Sequence, residues 1–175
     1  MPQDPVTAVR TEAQRQLHEY AQGEERPAGG YLAVLSAFGA GVAGLVLARR
    51  LTGRRPPSRL RGTDLVLLTA ATHKLSRLLA KDPVSSPLRM PFTRFRGVSA
   101  PSELAEEVRG HGVRHAVGEL VTCPFCLAPW TVTALLGAYT LSPATGRTVC
   151  TALTAIAGSD FLQYAYAAAQ QAEQD

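Results

Sequence analysis

Three long apolar runs divide this chain into stretches of different character. Residues 31–48, 126–142 and 149–169 are rich in Ala, Leu and Val, with Gly, Ser and Thr among them. The first run has no charged residue over 18 positions, close to the roughly 20 residues that a helix needs to cross a bilayer. The pattern predicts three membrane spans. A short turn over residues 142–146 is expected to join the last two spans into a helical hairpin.

Residues 64–80 form a fourth helical stretch with two distinct faces. Leucine and alanine cover one side of a helical wheel, and His73, Lys74 and Arg77 lie on the other. Such a helix either lies in the headgroup plane or spans with its polar side turned into a bundle. We favour the interfacial placement, because the following polar loop, residues 81–121, carries six lysines and arginines that resist export.

The remaining segments are polar. Residues 1–30 are a polar tail with a charged helix over residues 6–22, and residues 31–175 make up the membrane domain. Prolines predict an extended stretch over residues 85–95, and early glutamates predict a helix over residues 99–109. The predicted fold class is all-α: a small helical integral membrane protein with three to four transmembrane helices, plus amphipathic and soluble helices.

An arginine loop after the first run sets the expected orientation. It contains no acidic residue, and its cations are Arg49, Arg50, Arg54, Arg55, Arg59 and Arg61, interrupted by Pro56 and Pro57. The positive-inside rule keeps such a loop in the cytoplasm, so the N-terminus is expected outside. Topology therefore explains the net charge of +4, and no nucleic-acid partner is expected. Anionic lipid headgroups are a candidate ligand of the loop.

Two cysteines, Cys123 and Cys126, open the second apolar run and are expected on the cytoplasmic face. Pro124 suits the first position of a helix, which places Cys123 at the cap and Cys126 in the first turn. Free N–H groups at that position favour a thiolate. The pair is therefore a candidate dithiol oxidoreductase site.

Zinc binding and inert packing are the alternatives for the same pair. A closed zinc site needs four donors, and the nearest ones in sequence are His111 and His115, with His73 and Cys150 further away. Inert thiols at the membrane edge need no further ligand, and Trp130 would then act as an interfacial anchor.

A lone carboxylate, Asp160, interrupts the third apolar run. An unpaired charge within a membrane is costly, so the carboxylate is expected to meet a cation. The candidates are His73, Lys74, Arg77 and Arg147.

Four short motifs carry a resemblance to a known family. The chain resembles, over about residues 64–166, a bacterial family of small membrane proteins known as domain of unknown function 1360. The motifs are ATHKLSR at 71–77, KDPV at 81–84, SPLRMPFT at 86–93 and ELVTCPFC at 119–126, followed by Trp130. Members usually have a glycine between the second cysteine and the tryptophan, where this chain has Ala128-Pro129. The resemblance implies a multi-pass protein of the bacterial cell membrane and no established activity.

The polar residues within these motifs admit two interpretations. They are Thr72, His73, Lys74, Arg77, Asp82 and Arg89. One interpretation is a basic pocket for a phosphate or lipid headgroup. The other, which we favour, is an ion-pair network that fixes the amphipathic helix to its loop, with Asp82 bonding Arg77 or Arg89.

The sequence contains no nucleotide-binding loop and no paired carboxylates. We therefore predict a non-enzymatic scaffold or partner-binding subunit in the lipid bilayer, with a protein partner or a second copy of the chain. Zinc binding and dithiol oxidoreductase activity are the alternative functions.

Overall fold

The computed structural model describes residues 4–22, 26–53 and 59–173. Arg54, Arg55, Pro56 and Pro57 of the arginine loop lie outside the described residues. Seven α-helices and one β-hairpin make up this part of the chain: α1 (Pro5–Ala21), α2 (Ala28–Thr52), α3 (Gly62–Lys81), α4 (Ser86–Arg89), β1 (Thr93–Ala100), β2 (Glu103–Val108), α5 (Val113–Thr122), α6 (Pro124–Leu141) and α7 (Pro143–Ala172). A 3₁₀ turn over Pro83–Ser85 precedes α4.

Prolines and caps define where the helices begin and end. Pro5, Pro124 and Pro143 each occupy the start of a helix, where the missing N–H group costs nothing. Gly53 ends α2 in the left-handed conformation. Because α7 begins at Pro143, only Ser142 separates it from α6. The predicted turn over residues 142–146 is therefore wrong in length, although the hairpin itself is present.

Helices α3, α6 and α7 pack side by side around a small core. Leu68 and Ala71 of α3 meet Leu135 and Tyr139 of α6 and Cys150 of α7, and all five are buried. Helix α7 returns antiparallel to α6 after the tight turn, as the close approach of Gly146 to Tyr139 shows. Helix α3 is antiparallel to α6, because it runs parallel to α7.

Helix α3 runs parallel to α7 along most of its length. The pairs that join them advance together along both helices: Asp64 with Arg147, Leu67 with Thr154, and Lys74 with Asp160. Helix α3 therefore packs lengthwise against α6 and α7. Its placement relative to a membrane, interfacial or spanning, stays a prediction.

Helix α2 runs parallel to α6. The rings of Phe38 and Trp130 lie 5.1 Å apart in an edge-to-face arrangement. Seven residues further along both helices, Leu45 packs against Gly137 so closely that an added Cβ would stand 2.8 Å from the leucine. Both contacts advance in the same sense. The starts of α2 and α6 therefore lie at one end of the bundle, and their ends lie at the other.

The parallel arrangement of α2 and α6 separates the arginine loop from the cysteine pair, which were expected on the same face. The hairpin end, as we call it, holds the starts of α2 and α6, the end of α3 and the β-hairpin. The loop end holds Arg49, Arg50, Arg59, Arg61 and the turn at Ser142. The described residues of the arginine loop and the cysteine pair thus lie at opposite ends of the bundle, and the expectation that both face the cytoplasm stays a prediction.

The polar loop contains a β-hairpin where the sequence predicted a helix. Strands β1 and β2 pair antiparallel, from Thr93 opposite Val108 to Ala100 opposite Glu103. Ser102 adopts a positive φ of 60° at the turn, and Pro101 precedes it. The all-α prediction is therefore wrong in this segment. The stretch expected to be extended is also partly helical, because Pro83 and Pro87 sit at the tolerated first positions of short helical turns.

Two helices in the described part of the chain are long and apolar enough to cross a membrane, α2 and α6. They contain the predicted span 31–48 and all but the last residue of the predicted span 126–142. Helix α7 contains the predicted span 149–169, and α3 contains residues 64–80, but neither meets the same test of length and composition.

Candidate functional site

The cysteine pair stands where α5 gives way to α6. Cys123 is the single non-helical residue between them, with extended backbone angles, and its Sγ accepts the backbone N–H of Cys126 at 3.2 Å. Cys126 lies in the first turn and is exposed, whereas Cys123 is half-buried. Both are free thiols, as is the buried Cys150 in the core. The predicted cap arrangement is present, and the pair is accessible at the hairpin end.

The surroundings of Cys123 act on its pKa in opposite directions. Burial raises the pKa of this thiol, but hydrogen bonds from Cys126 and the backbone N–H of Phe125, together with the positive charge of Lys81, outweigh burial and lower it. Lys81 is the last residue of α3. The positive charge at the end of α3 therefore stabilises the thiolate form of Cys123, which caps the start of α6.

The histidines proposed as zinc ligands serve other partners. The Nδ1 of His115 lies 3.2 Å from the carbonyl of Gly110, and its Nε2 lies 3.5 Å from Glu119. His111 lies immediately before Gly112, which is the N-cap of α5, so His111 is not on the helix that carries His115. Across the described residues, no three His, Cys, Asp or Glu side chains converge as metal ligands. The geometry therefore supplies two thiols without the further donors that a closed zinc site needs.

A cavity of about 740 Å³ lies beside these histidines, between α1, the hairpin and the start of α5. His111 and His115 line it together with Arg94, Arg109 and Glu107. Arg109 already donates to the carbonyls of Met90 and Pro91. The cavity wall is therefore basic on balance.

The polar set from the family motifs is distributed over separate ion pairs. Lys74 donates to Asp160 at 2.6 Å, which makes Lys74 the partner of that carboxylate among the four candidates. Arg77 pairs with Glu103 of β2, and Arg89 pairs with Glu106 of the same strand.

The remaining members of the polar set make local contacts. Asp82 accepts the N–H of Val84 and caps the 3₁₀ turn, and neither Arg77 nor Arg89 is its side chain's partner. Thr72 bonds the carbonyl of Leu68 one turn back. His73 is exposed. The set forms a network of ion pairs and caps rather than one pocket.

Arg89 is the most deeply buried charge of this network. Its side chain is 1% exposed, and the carboxylate of Glu106 that it meets is 5% exposed. Its Nη1 also donates to the carbonyls of Leu79 and Asp82 at 2.9 and 3.1 Å, at the end of α3. Thr93 donates a second hydrogen bond to Glu106. One arginine thus ties the hairpin to carbonyls at the end of α3, to which Ser85 also donates.

Sequence reasoning missed the acidic partners. Glu103 and Glu106 were assigned to the first turns of a helix, although they belong to a strand that faces α3 and α4. Tyr31 and Glu119, which bond at 2.6 Å between α2 and α5, were also missed. The available signal was the cluster of three glutamates over residues 103–107, since buried arginines require acidic partners.

Trp130 lies well inside α6 and packs on Phe38 of α2. Its predicted role as an interfacial anchor stays a prediction. The contact that the structure gives it is between two helices.

Comparisons with known proteins match the chain to a family model and to a relative. The model of a family described as Protein of unknown function (DUF1360) matches residues 67–166. The protein named Sporulation protein YjcA from Bacillus subtilis (strain 168) is 34% identical over 74 residues, which cover 41% of this chain and 63% of that protein. The match thus spans less than two thirds of the relative's length. No solved structure matches the chain.

Proposed function

This chain belongs to the DUF1360 family of proteins of unknown function, and we propose that it is an integral membrane protein that binds a partner protein at its hairpin end. The exposure of α2 is the observation that carries this proposal. Helix α2 has 25 residues, and Gly30 is its only buried residue. Exposure of this apolar surface to water would be unfavourable. Lipid of a bilayer would cover every side of the helix that does not contact the rest of the protein.

The parallel arrangement of α2 and α6 supports more than two spans. Two parallel helices that both cross a membrane require the chain to return between them. Helix α3 runs in the opposite direction beside α6, and its 20 residues reach about 30 Å, the thickness of the hydrocarbon core. Helix α7, with 30 residues, returns after α6. We therefore propose a bundle of four spans.

Two of the charges on α3 support this placement, because each meets an opposite charge on α7. Lys74 pairs with Asp160, and Asp64 accepts two hydrogen bonds of 2.9 Å from Arg147. Paired charges that face the interior are the usual form of charge inside a membrane protein. Leu65 and Val66 on the outer side of α3 are exposed, as expected for contact with lipid.

We place the arginine loop in the cytoplasm and the hairpin end outside. The loop is short and carries six arginines without an acid, which is the form of cationic loop that resists export. At the hairpin end, residues 81–123 carry six cations against five acids. Several of these are already paired, including Arg89 with Glu106 and Arg96 with Glu107.

The hairpin supplies a surface for a partner. Within the described ranges, both edges of this two-stranded sheet lack a neighbouring strand, and such a hairpin is only marginally stable by itself. Phe95 and Val98 of β1 are about two-thirds exposed, and Phe125 beside the cysteines is 88% exposed. These apolar side chains favour a protein partner over inert exposure to water.

The Bacillus subtilis relative bears the name of a sporulation protein. A deletion in a spore-forming host is therefore the setting in which we expect a phenotype of this family. Variants of the chain expressed in this deletion strain are used in the experiments below.

Labelling from both sides of the membrane tests the placement. One variant keeps only Cys126, through Cys123→Ser and Cys150→Ala, and a second carries Arg59→Cys in a cysteine-free chain. A membrane-impermeant maleimide applied to intact cells should label Cys126 and spare the cysteine at 59 until lysis. The reverse pattern would overturn the orientation. Labelling of both from one side would overturn the four spans.

Native electrophoresis in mild detergent tests partner binding. Phe95→Ser with Val98→Ser should reduce the mass of the complex, whereas Val9→Ser on the equally exposed surface of α1 should leave it unchanged. A chain that migrates as a monomer in every case would contradict the partner-binding role.

A further inference from the structure

The start of α6 combines features that an inert pair of thiols would not need. The backbone N–H of Cys126 points at the Sγ of Cys123, which is how a helix start holds a thiolate. Cys123 is the N-cap and Cys126 lies in the first turn, and the 3.2 Å contact between the Cys123 Sγ and the backbone nitrogen of Cys126 places that sulfur close to the base of the Cys126 side chain. Small rotations of the side chains therefore bring the two sulfurs together.

Access to the pair is open. Cys126 is exposed, and the side chain between the cysteines, Phe125, is almost fully exposed. An exposed apolar ring beside a reactive thiol provides a packing surface for the polypeptide of a partner. Cys150, by contrast, is fully buried among Leu68, Ala71 and Tyr139. The chain thus contains a reachable pair and an unreachable third thiol that serves as an internal control.

Charge at the site also favours thiol chemistry. Lys81 ends α3 close enough to Cys123 to stabilise negative charge on its sulfur. The acid Glu119 lies one turn before Cys123 in the sequence and is shared by Tyr31, His115 and Arg26. The carboxylate is thus partly neutralised, and the cation is left to act on the thiol.

We propose that Cys123 and Cys126 form a redox-active dithiol that reduces a disulfide of a partner protein at the membrane surface. The Cys123 thiolate attacks one sulfur of the partner disulfide and forms a mixed disulfide, and the second partner sulfur leaves as a thiolate that takes a proton from water. Cys126 then gives its proton to solvent and attacks the sulfur of Cys123. A disulfide between Cys123 and Cys126 forms, and the first partner sulfur leaves as a thiol.

The step is balanced by two electrons. The dithiol is oxidised to a disulfide, and the partner disulfide is reduced to two thiols. The proposal rests on the proposed function for its location, because disulfides persist on the exported side of a membrane. The exchange chemistry itself needs no membrane and can be measured on the purified full-length chain.

Glutathione redox buffers provide the test. The full-length protein in mild detergent is equilibrated at a series of ratios of reduced to oxidised glutathione, then denatured, alkylated with N-ethylmaleimide and weighed by intact mass spectrometry. We expect two alkylation sites to disappear together in one transition, while Cys150 stays alkylated throughout. Independent glutathione adducts on Cys123 and Cys126, or no oxidation at any ratio, would overturn the proposal.

Single variants separate the two roles. Cys126→Ser should trap glutathione on Cys123, because the resolving thiol is missing. Cys123→Ser should form its adduct several-fold more slowly than Cys126→Ser, since the remaining thiol lacks the backbone N–H bond that the Cys123 sulfur accepts. Cys150→Ala should leave the transition unchanged. Equal rates in the two serine variants would reject the assignment of Cys123 as the nucleophile.

The outcomes distinguish this proposal from the location on which it rests. A normal redox transition in detergent with Cys126 inaccessible in intact cells would overturn the orientation and keep the exchange chemistry. Accessible cysteines that never form a disulfide would keep the orientation and overturn the chemistry.

Discussion

Replacement of Arg89 by methionine should be the most damaging single change in the polar region. The guanidinium is 1% exposed and meets Glu106, which is 5% exposed, so the substitution leaves a buried carboxylate without its cation. It also removes the donors for the carbonyls of Leu79 and Asp82 at the end of α3. Breaking one side of a buried ion pair costs about 3–5 kcal/mol.

A second ion pair with strand β2 provides a matched control. Arg96 pairs with Glu107, and these side chains are 59% and 53% exposed. Water screens this pair, so Arg96→Met should cost only about 0–1 kcal/mol. Each variant removes one arginine that pairs with a glutamate of β2. Arg89 is the last residue of α4 and Arg96 lies in β1, and burial is the main difference between the two ion pairs.

Thermal unfolding in detergent, followed by intrinsic fluorescence, measures the difference. Arg89→Met should lower Tm by about 6–20 °C, since 1 kcal/mol corresponds to about 2–4 °C for a chain of this size. Arg89→Met with Glu106→Met should recover much of the loss, because the unpaired charge is gone. Equal Tm values for the Arg89→Met and Arg96→Met variants would refute the argument from burial.

Three further changes test other contacts. Gly30→Ala should destabilise the protein by about 1–3 kcal/mol, because its Cβ would stand 2.5 Å from the carbonyl oxygen of Gly112, whereas Gly29→Ala meets nothing within 4 Å and should be neutral in the same melting assay. Asp160→Leu should cost about 1–2 kcal/mol and the double variant with Lys74→Leu less, and a larger loss in the double variant would contradict the pairing. Because the pKa of Cys123 is lowered and the thiolate is the reactive form, its alkylation rate should rise at lower pH than that of a free cysteine, and a rise at the ordinary pH would contradict the stabilised thiolate.

The helices could be predicted from the sequence, because long apolar runs leave few alternatives. Residues 31–48, 64–80 and 149–169 all lie inside single helices, and the second apolar run begins its helix at Pro124. The partner of Asp160 could be limited to four cations, because a buried carboxylate requires one. Lys74 was the correct choice among them only once α3 and α7 were known to be parallel.

The hairpin and the helix directions could not be predicted in the same way. Residues 103–108 have the acidic start of a helix, and their role as a strand depends on pairing with β1 across a turn at Ser102. The direction of α2 relative to α6 depends on contacts such as Phe38 with Trp130, which link residues far apart in the chain. Local patterns carry no information about such pairs.

Cysteine crosslinking between α2 and α6 tests most directly whether these helices are parallel. In a chain without native cysteines, Phe38→Cys with Trp130→Cys, and Leu45→Cys with Gly137→Cys, should each form a disulfide in membranes treated with a mild oxidant, since these positions are in contact. The exchanged combinations, positions 38 with 137 and 45 with 130, are about 10 Å apart along the helix axes and should not crosslink. Crosslinking of the exchanged combinations alone would mean antiparallel helices, and it would contradict both the four-span bundle and the separation of the cysteine pair from the arginine loop.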